Sequence, residues 1–347
     1  MTGAATMDPA PARTVLPGAW TAETSGGVEG LMHRLGPEQL AAIDEAVRAT
    51  EGRGPTDVGA AEFGGVMLDD LMAAVRYELA HGRGVSVLSG LDLTRYTPEQ
   101  FQRLYFGLGS HLGTPVEQSP RHDRLGFVRK EPNPDLRGYL MDTELGPHTD
   151  YHEVLSLATV VAAETGGVSG FVSSAAVYAA IRDERPDLLP ALLEGFPYPT
   201  GADSVTDYKV PTISIVDGHV SIYSYVIFIF QAAAIMGVEV PAKLIEGLRF
   251  MAAVARRPGM IASFTMQPGE MAFWYNFRVM HSRTSFRNTP ERQRELLRLW
   301  LHAREPRPMA RGYREIAQAL DEHHAAGRSM LVNTVETMGA IRDALAG

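Results

Sequence analysis

The sequence predicts a mostly β fold wrapped in helices, an α+β chain whose centre is a double-layered barrel or jelly roll. Three observations carry that prediction. Short apolar runs with strand texture crowd the chain from residue 125 to about residue 303, with turns between them. Helical spacing is concentrated at the two ends. No internal repeat or credible linker divides the 347 residues, so one domain over 28–347 is expected, with its β core at about 85–305.

The elements follow in order. Residues 1–27 are rich in Ala, Thr, Pro and Gly and read as a flexible lead. They lack the charged start and apolar centre of a signal peptide. Leu35, Leu40, Ile43 and Val47 keep helical spacing, and Pro37 stands near a helix start. A second amphipathic helix fits Val66 to His81, closed by Gly82 and Gly84, and a short buried strand follows from Val85. Thr97, Pro98 and Gln100 form a capping-box start for a third helix, expected to run to about Leu112.

Strands are expected at 126–129, 138–141, 155–161 and 170–173, with a turn at Glu164-Thr-Gly-Gly167. Ser174 can cap a short helix to Ile181, and Pro186 can start another to Leu193. Asp217-Gly218 is a favoured two-residue turn for a hairpin of 211–216 with 219–225. Val240 to Ala255 is amphipathic helix, the last strands lie at 261–265, 271–275, 279–281 and 294–302, and helix resumes from Arg311 to Ala325. A weaker helix is expected near the C-terminus.

Composition narrows the function. A net charge of −9 argues against a nucleic-acid partner bound through a broad basic surface. No apolar run is long enough to span a membrane. With no cysteine, disulfides, thiolate metal sites and a cysteine nucleophile are excluded. A cytoplasmic enzyme acting on a small molecule fits best, and oligomeric state is not legible.

The chemistry centres on Leu145-Gly-Pro-His148-Thr-Asp150-Tyr-His152-Glu153, directly before a β-branched apolar run. In extended chain, residues i and i+2 share a face, so His148 and Asp150 can reach one point. A third nitrogen would complete a 2-His-1-carboxylate set, the geometry of non-haem Fe(II) oxygenases, and His281 is the candidate. The tripeptide alone also fits a surface loop in which Asp150 bonds locally. A helical zinc pair of His148 with His152 is the competing metal reading. It fails, because Thr149 stands where that motif needs Glu and the flanks favour extended chain.

Downstream, Arg294 and Arg298 fall on one face of a strand otherwise full of Leu and Trp. Two guanidiniums inside a barrel need anions, and a planar fork suits a carboxylate. An outward charge or a structural ion pair is the plainer alternative for either arginine.

Five stretches in order then resemble the clavaminate synthase and taurine dioxygenase group of Fe(II)/2-oxoglutarate-dependent oxygenases. They are Pro147-His-Thr-Asp-Tyr-His-Glu, Glu164-Thr-Gly-Gly-Val-Ser-Gly-Phe-Val-Ser-Ser, Pro268-Gly-Glu-Met-Ala-Phe-Trp-Tyr-Asn, His281-Ser-Arg-Thr-Ser-Phe and Arg294-Glu-Leu-Leu-Arg-Leu-Trp-Leu. The resemblance covers roughly residues 85 to 305 and implies a double-stranded β-helix. It implies His148, Asp150 and His281 as iron ligands, with Arg294 and Ser169 on the distal carboxylate of 2-oxoglutarate. Arg298 is implied to contact cosubstrate or substrate, and Gln118 stands where several relatives hold substrate, a solvent-facing glutamine being the alternative. Asn276 and Arg283 are expected to brace the site. Arg292 is set aside because position 296 is Leu.

The resemblance also implies the cofactors Fe(II), 2-oxoglutarate and O2, with oxidation of an unactivated C–H bond and release of succinate and CO2. The carboxylate at Asp150 points away from halogenation, which needs that position vacated. Two departures stand out. Arg287-Asn288 replaces a usually acidic segment, and the stretch from Tyr223 is aromatic and apolar where relatives often carry a polar group. Tyr223 and Tyr225 are most simply core; lining the pocket, they would suit a substrate less charged than a basic amino acid. A Zn- or Mn-dependent isomerase or hydrolase, and a non-catalytic binding barrel, remain as alternatives.

Overall fold

A computed structural model of the chain describes residues 16–132 and 138–330, together with 339, 341 and 344. The N-terminal part carries β1 (Met32–Arg34), α1 (Pro37–Ala49), α2 (Val66–Ala80), β2 (Val85–Ser89), α3 (Pro98–Gly109), β3 (Gly113–Pro115) and β4 (Gly126–Arg129). The middle carries β5 (Leu145–His148), β6 (Val154–Val161), β7 (Thr165–Gly166), β8 (Ser169–Ser173), α4 (Ser174–Glu184), α5 (Leu189–Glu194), β9 (Ile213–Val216) and β10 (His219–Ile222). It ends with α6 (Val226–Met236), α7 (Ala242–Ala255), β11 (Ala262–Phe264), β12 (Met271–Tyr275), β13 (Val279–Arg283), β14 (Phe286–Arg287), β15 (Glu295–Ala303) and α8 (Arg311–Ala325).

Among the described residues, two sheets matter for function. The larger runs β1-β2-β12-β6-β15-β3, with β4 also paired to β15. The smaller runs β11-β8-β13-β5. Only the β1–β2 pair among these is parallel; the other ladders are antiparallel. Aromatic rings bridge the layers: Phe171 of β8 meets Trp274 of β12 at 5.4 Å, and Trp274 meets His281 of β13 at 4.9 Å. The space between the sheets is therefore packed core that narrows toward the histidine. β12 is buried at all five positions and reads as a continuous apolar run for that reason.

Local chemistry explains most boundaries. Thr97 Oγ1 accepts from the backbone of Gln100 while Gln100 Oε1 accepts from the backbone of Thr97, the reciprocal cap expected at the start of α3. Asp217 and Gly218 both have positive φ, 50° and 75°, as the tight turn between β9 and β10 requires. Several boundaries differ. The third helix stops at Gly109 rather than near 112, after two glycines weaken its last turn. Ser173, not Ser174, caps α4: its Oγ accepts from the backbone of Ala176. Residues 138–140 make one 3-10 turn instead of a strand. The hairpin closes at Ile222, and the run from Val226 becomes helix α6. That helix is apolar on nearly every side, so it has no period to betray it.

Part of the expected flexible lead is folded against the body. Trp20 is buried, and its indole nitrogen donates to the carbonyl of Arg83 at 2.7 Å. The carbonyl of Gly18 accepts from Ser173 Oγ. Residues 1–15, and the helix expected near the C-terminus, lie outside the described residues apart from 339, 341 and 344. No helix among the described residues is long and apolar enough to cross a membrane.

The cap on α3 gives a direct check. Thr97→Ala is expected to cost about 1 kcal/mol in urea denaturation, the usual worth of such a residue; an unchanged midpoint would show the cap idle.

Candidate active site

The site is assembled by one strand pair. β5 and β13 run antiparallel, with His148 directly opposite His281, which brings the imidazoles to 4.2 Å between centroids. Asp150 lies two residues past the end of β5, its Oδ1 3.8 Å from His148 Nε2 and its Oδ2 3.9 Å from His281 Nε2. The three ligand atoms converge within 4.8 Å, a group able to hold a metal ion.

Protonation suits that use. His148 Nδ1 lies 2.8 Å from the carbonyl of Gly146, which can only accept, so Nδ1 carries a proton and Nε2 is the atom turned toward Asp150. Burial, then the neighbouring His148, pushes His281 down to about 3 against the pull of Asp150, leaving it neutral at physiological pH. Burial pushes the Asp150 carboxyl up. The fields of His281, His148 and Arg298 and a hydrogen bond from Trp300 outweigh it, and the group stays ionised. Two imidazole nitrogens and one anionic oxygen are the donor set that divalent iron takes.

Asn276 clamps the ligand loop. Its Oδ1 accepts from the backbone of Asp150 at 3.0 Å, and its Nδ2 donates to the carbonyls of Asp150 and His152 at 2.9 and 3.0 Å. Arg283 braces the other side through the carbonyls of Met141 and Thr143. His152, rejected above as a metal partner of His148, is fully buried and bonds Asp321 instead.

A second pocket lies between the sheets beside β15. Arg294, Ser169, Thr159, Thr265 and Gly167 line a small cavity. Arg294 is buried with Nη1 unpartnered, and the Thr159 hydroxyl is buried without a partner as well. Burial, then Arg283, lowers the Arg294 guanidinium to about 9, which still leaves it charged at neutral pH. A buried cation and an unused hydroxyl lining one cavity could hold a carboxylate. Gly167 lets it form: φ is +65°, and a Cβ there would lie 3.0 Å from Arg294 Nε. Asn288, in the segment that is usually acidic, accepts from the Arg294 backbone and fixes the start of β15. Arg292 is exposed and paired with Glu164.

Arg298 is held flat between two rings, its Cζ 4.2 Å from the Tyr139 centroid and 4.1 Å from Trp300. Gln118 Oε1 accepts from Arg298 Nε at 2.8 Å, and Gln118 Nε2 donates to the carbonyls of Arg124 and Arg298. Gln118 is thus neither solvent-facing nor a free donor for substrate; its amide protons are spent holding Arg298. Tyr223 needs the same correction. It is fully buried among Tyr198, Phe277 and Tyr313, packed as core rather than pocket wall. Tyr225 is only partly buried, packs on Tyr151 at 4.5 Å and shares a hydroxyl hydrogen bond with it.

Thr159, Trp300, Tyr139 and Tyr151 were not singled out from sequence as site residues. Each is an ordinary strand or loop residue until distant chain packs against it. A larger cleft of about 340 Å³ is lined by Tyr208, Arg311 and Glu315 among others, and there Glu315 is taken up by Arg311 and the Tyr208 hydroxyl.

Comparison with known proteins agrees with this geometry. A profile described as taurine catabolism dioxygenase TauD, TfdA family, matches residues 50–300. FR-33289 synthase of Streptomyces rubellomurinus is 27% identical over 248 residues, 67% of this chain and 73% of that protein. A taurine hydroxylase-like protein, SAT17, of Stachybotrys chartarum is 25% identical over 302 residues, 81% of this chain and 77% of its own. Among solved structures, asparagine oxygenase with Fe(II), 3-hydroxyasparagine and succinate shares the fold at a TM-score of 0.61 and 17% identity, covering 78% of this chain and 93% of its own. The oxygenase OrfP with Fe and α-ketoglutaric acid matches at 0.60 and 14%, covering 87% and 100%.

Asn276→Ala would strand one N–H and two carbonyls around the ligand loop. A loss of about 2–4 kcal/mol in denaturant unfolding is expected, and a loss under about 0.5 kcal/mol would show that the loop holds itself.

Proposed function

The chain belongs to the TauD/TfdA family of dioxygenases, and from that premise we propose that His148, Asp150 and His281 hold Fe(II) while Arg294 holds 2-oxoglutarate. The enzyme is a non-haem iron, 2-oxoglutarate-dependent oxygenase. One observation carries the residue assignment: two imidazoles and a carboxylate bring their ligand atoms within 4.8 Å of one another, in a chain that also keeps a buried guanidinium without an acceptor on a cavity wall. We read residues 28–347 as one oxygenase domain with a jelly-roll core at about 85–305, the two facing sheets being its layers.

Bound at this triad, Fe(II) with 2-oxoglutarate and O2 supplies the oxidation of an unactivated C–H bond, with release of succinate and CO2. The protein's own residues set the stage. Arg294 pairs with the distal carboxylate, and Ser169 and the unused Thr159 hydroxyl add donors from β8 and β6. Asn276 keeps the ligand loop rigid, and the apolar strands exclude water. Arg298, its Nε fixed by Gln118, presents its remaining edge near Asp150 as a handle for an anionic group. Tyr151 and Tyr225 form an aromatic wall nearby.

The substrate is a small metabolite, an amino acid or a natural-product intermediate, and hydroxylation is the favoured outcome. Two features support this: solved structures of the same fold hold 3-hydroxyasparagine or L-arginine, and the Streptomyces relative is a synthase. An isomerase, a hydrolase or a bare binding barrel would leave the Arg294 cavity without an occupant.

Anaerobic titration of Fe(II) and 2-oxoglutarate into the apoprotein tests the assignment. A weak visible charge-transfer band is expected, lost in His148→Ala. Arg294→Ala should weaken 2-oxoglutarate binding by about 10–100-fold and Thr159→Val by about 3–10-fold, the worth of a charged and a neutral hydrogen bond. Metal binding without a band would move the isomerase or hydrolase reading forward; no metal binding would leave the non-catalytic barrel.

A further inference from the structure

We propose that Trp300 is a positioning residue through which helix α8 fixes the carboxylate of Asp150, with Asp321 as the anchor at the far end. The proposal rests on the reading of His148, Asp150 and His281 as the metal triad.

Alternation along β15 places Arg298, Trp300 and His302 on one face. The Trp300 indole is buried, and its N–H donates to Asp150 Oδ2 at 3.2 Å. That bond fixes the plane of a carboxylate whose other oxygen faces His148. It is also the single hydrogen bond from a side chain that the Asp150 carboxylate receives among the described residues. A ligating carboxylate held this way presents one oxygen and cannot rotate between two imidazoles.

Trp300 is itself held. The Arg298 guanidinium lies 4.1 Å from its ring, and the His152 imidazole stacks on it at 5.5 Å, 25° from parallel. His152 Nε2 donates to Asp321 Oδ1 at 2.9 Å, and His302 Nε2 donates to Asp321 Oδ2 at 2.6 Å. Asp321 lies in the last turns of α8, so one carboxylate ties two histidines, and through them the indole, to that helix. The His152, His302 and Asp321 atoms converge closely enough to suggest a second metal site. Both carboxylate oxygens, however, already accept a hydrogen bond, and among the described residues no further ligand joins the group. The cluster reads as a clamp.

Trp300→Phe keeps an aromatic, though smaller, side chain and deletes the N–H. Its expected signature is Fe(II) binding weakened by about 10–100-fold in anaerobic calorimetry, the usual cost of losing a partner behind a metal ligand. Asp321→Ala, which touches no ligand, should weaken Fe(II) binding by about threefold or more, and the double variant should be no worse than Trp300→Phe alone. Such non-additivity distinguishes a chain of positioning contacts from two independent losses of stability. The proposal is overturned if Trp300→Phe binds Fe(II) within twofold of wild type, or if the two effects add. Should Trp300→Phe fail to fold, Asp321→Ala decides alone: an unchanged affinity overturns it. Wild-type protein that binds no Fe(II) would instead sink the triad reading beneath it.

Discussion

The active site depends on the register between β5 and β13. Pairing His148 with His281 sets two imidazoles side by side, and a slip of one residue would offer Met280 or Ser282 instead. β13 is pinned on its other edge by β8, where His281 faces Phe171 and Ser282 faces Gly170. Gly170 is part of that pinning, because a Cβ there would meet Ser282 Oγ and Ile261 Cδ1 at 2.5 Å. The carboxylate comes from loop rather than strand, so register alone cannot place it. Asn276 does that, reaching from the end of β12 to bond both the amide and the carbonyl of Asp150.

Three buried arginines crowd the same region, and their different partners show which is kept for a ligand. Each loses solvation on burial, a cost of several kcal/mol per ion unless something answers it. Arg283 is answered at Nη2 by two carbonyls and by the face of Phe286, while its Nε and Nη1 have no acceptor. Arg298 is answered by Gln118 and by two ring faces, which suit a weakly hydrated planar cation. Arg294 keeps the face of Phe286, but its guanidinium has no hydrogen-bond acceptor among the described residues, and burial, then Arg283, lowers it. Of the three it is the one that also borders a cavity, the arrangement that would suit an incoming anion.

Much of this was legible because its signals are local. The Thr97 cap, the Asp217-Gly218 turn and α8 from Arg311 to Ala325 are each written within a few residues. The histidine–aspartate spacing was legible as chemistry, although the strand ends at His148 and Asp150 sits in the loop beyond it, so alternation was not what brought them together. What was missed lies across the chain. Trp300 reads as one more core residue until it meets Asp150, 150 positions away. Gln118 is bound to Arg298 across 180 positions, which no local pattern encodes. Thr159 sits in an apolar strand where a β-branched residue needs no further explanation. Helix α6 was hidden by the opposite effect, since a helix whose sequence is apolar nearly all round carries no stripe.

The family match ends at residue 300, yet the ligand loop is braced from beyond that point. Glu153 is buried, and its oxygens accept from Arg314 Nε of α8 and from the backbone of Ala303. Arg314 also reaches the carbonyl of Arg307, whose own backbone donates to Tyr275 on β12. His152 meets α8 through Asp321. Residues 150–153 are therefore gripped from the strand side by Asn276 and from the helix side by Arg314 and Asp321. Neither grip replaces the other, because Asn276 satisfies backbone groups while the helix satisfies side chains. Without α8, the buried Glu153 carboxylate would lose its arginine and the buried His152 imidazole its carboxylate partner, which leaves a buried charge short of its counter-ion. The C-terminal helix belongs to the catalytic unit as much as the strands do.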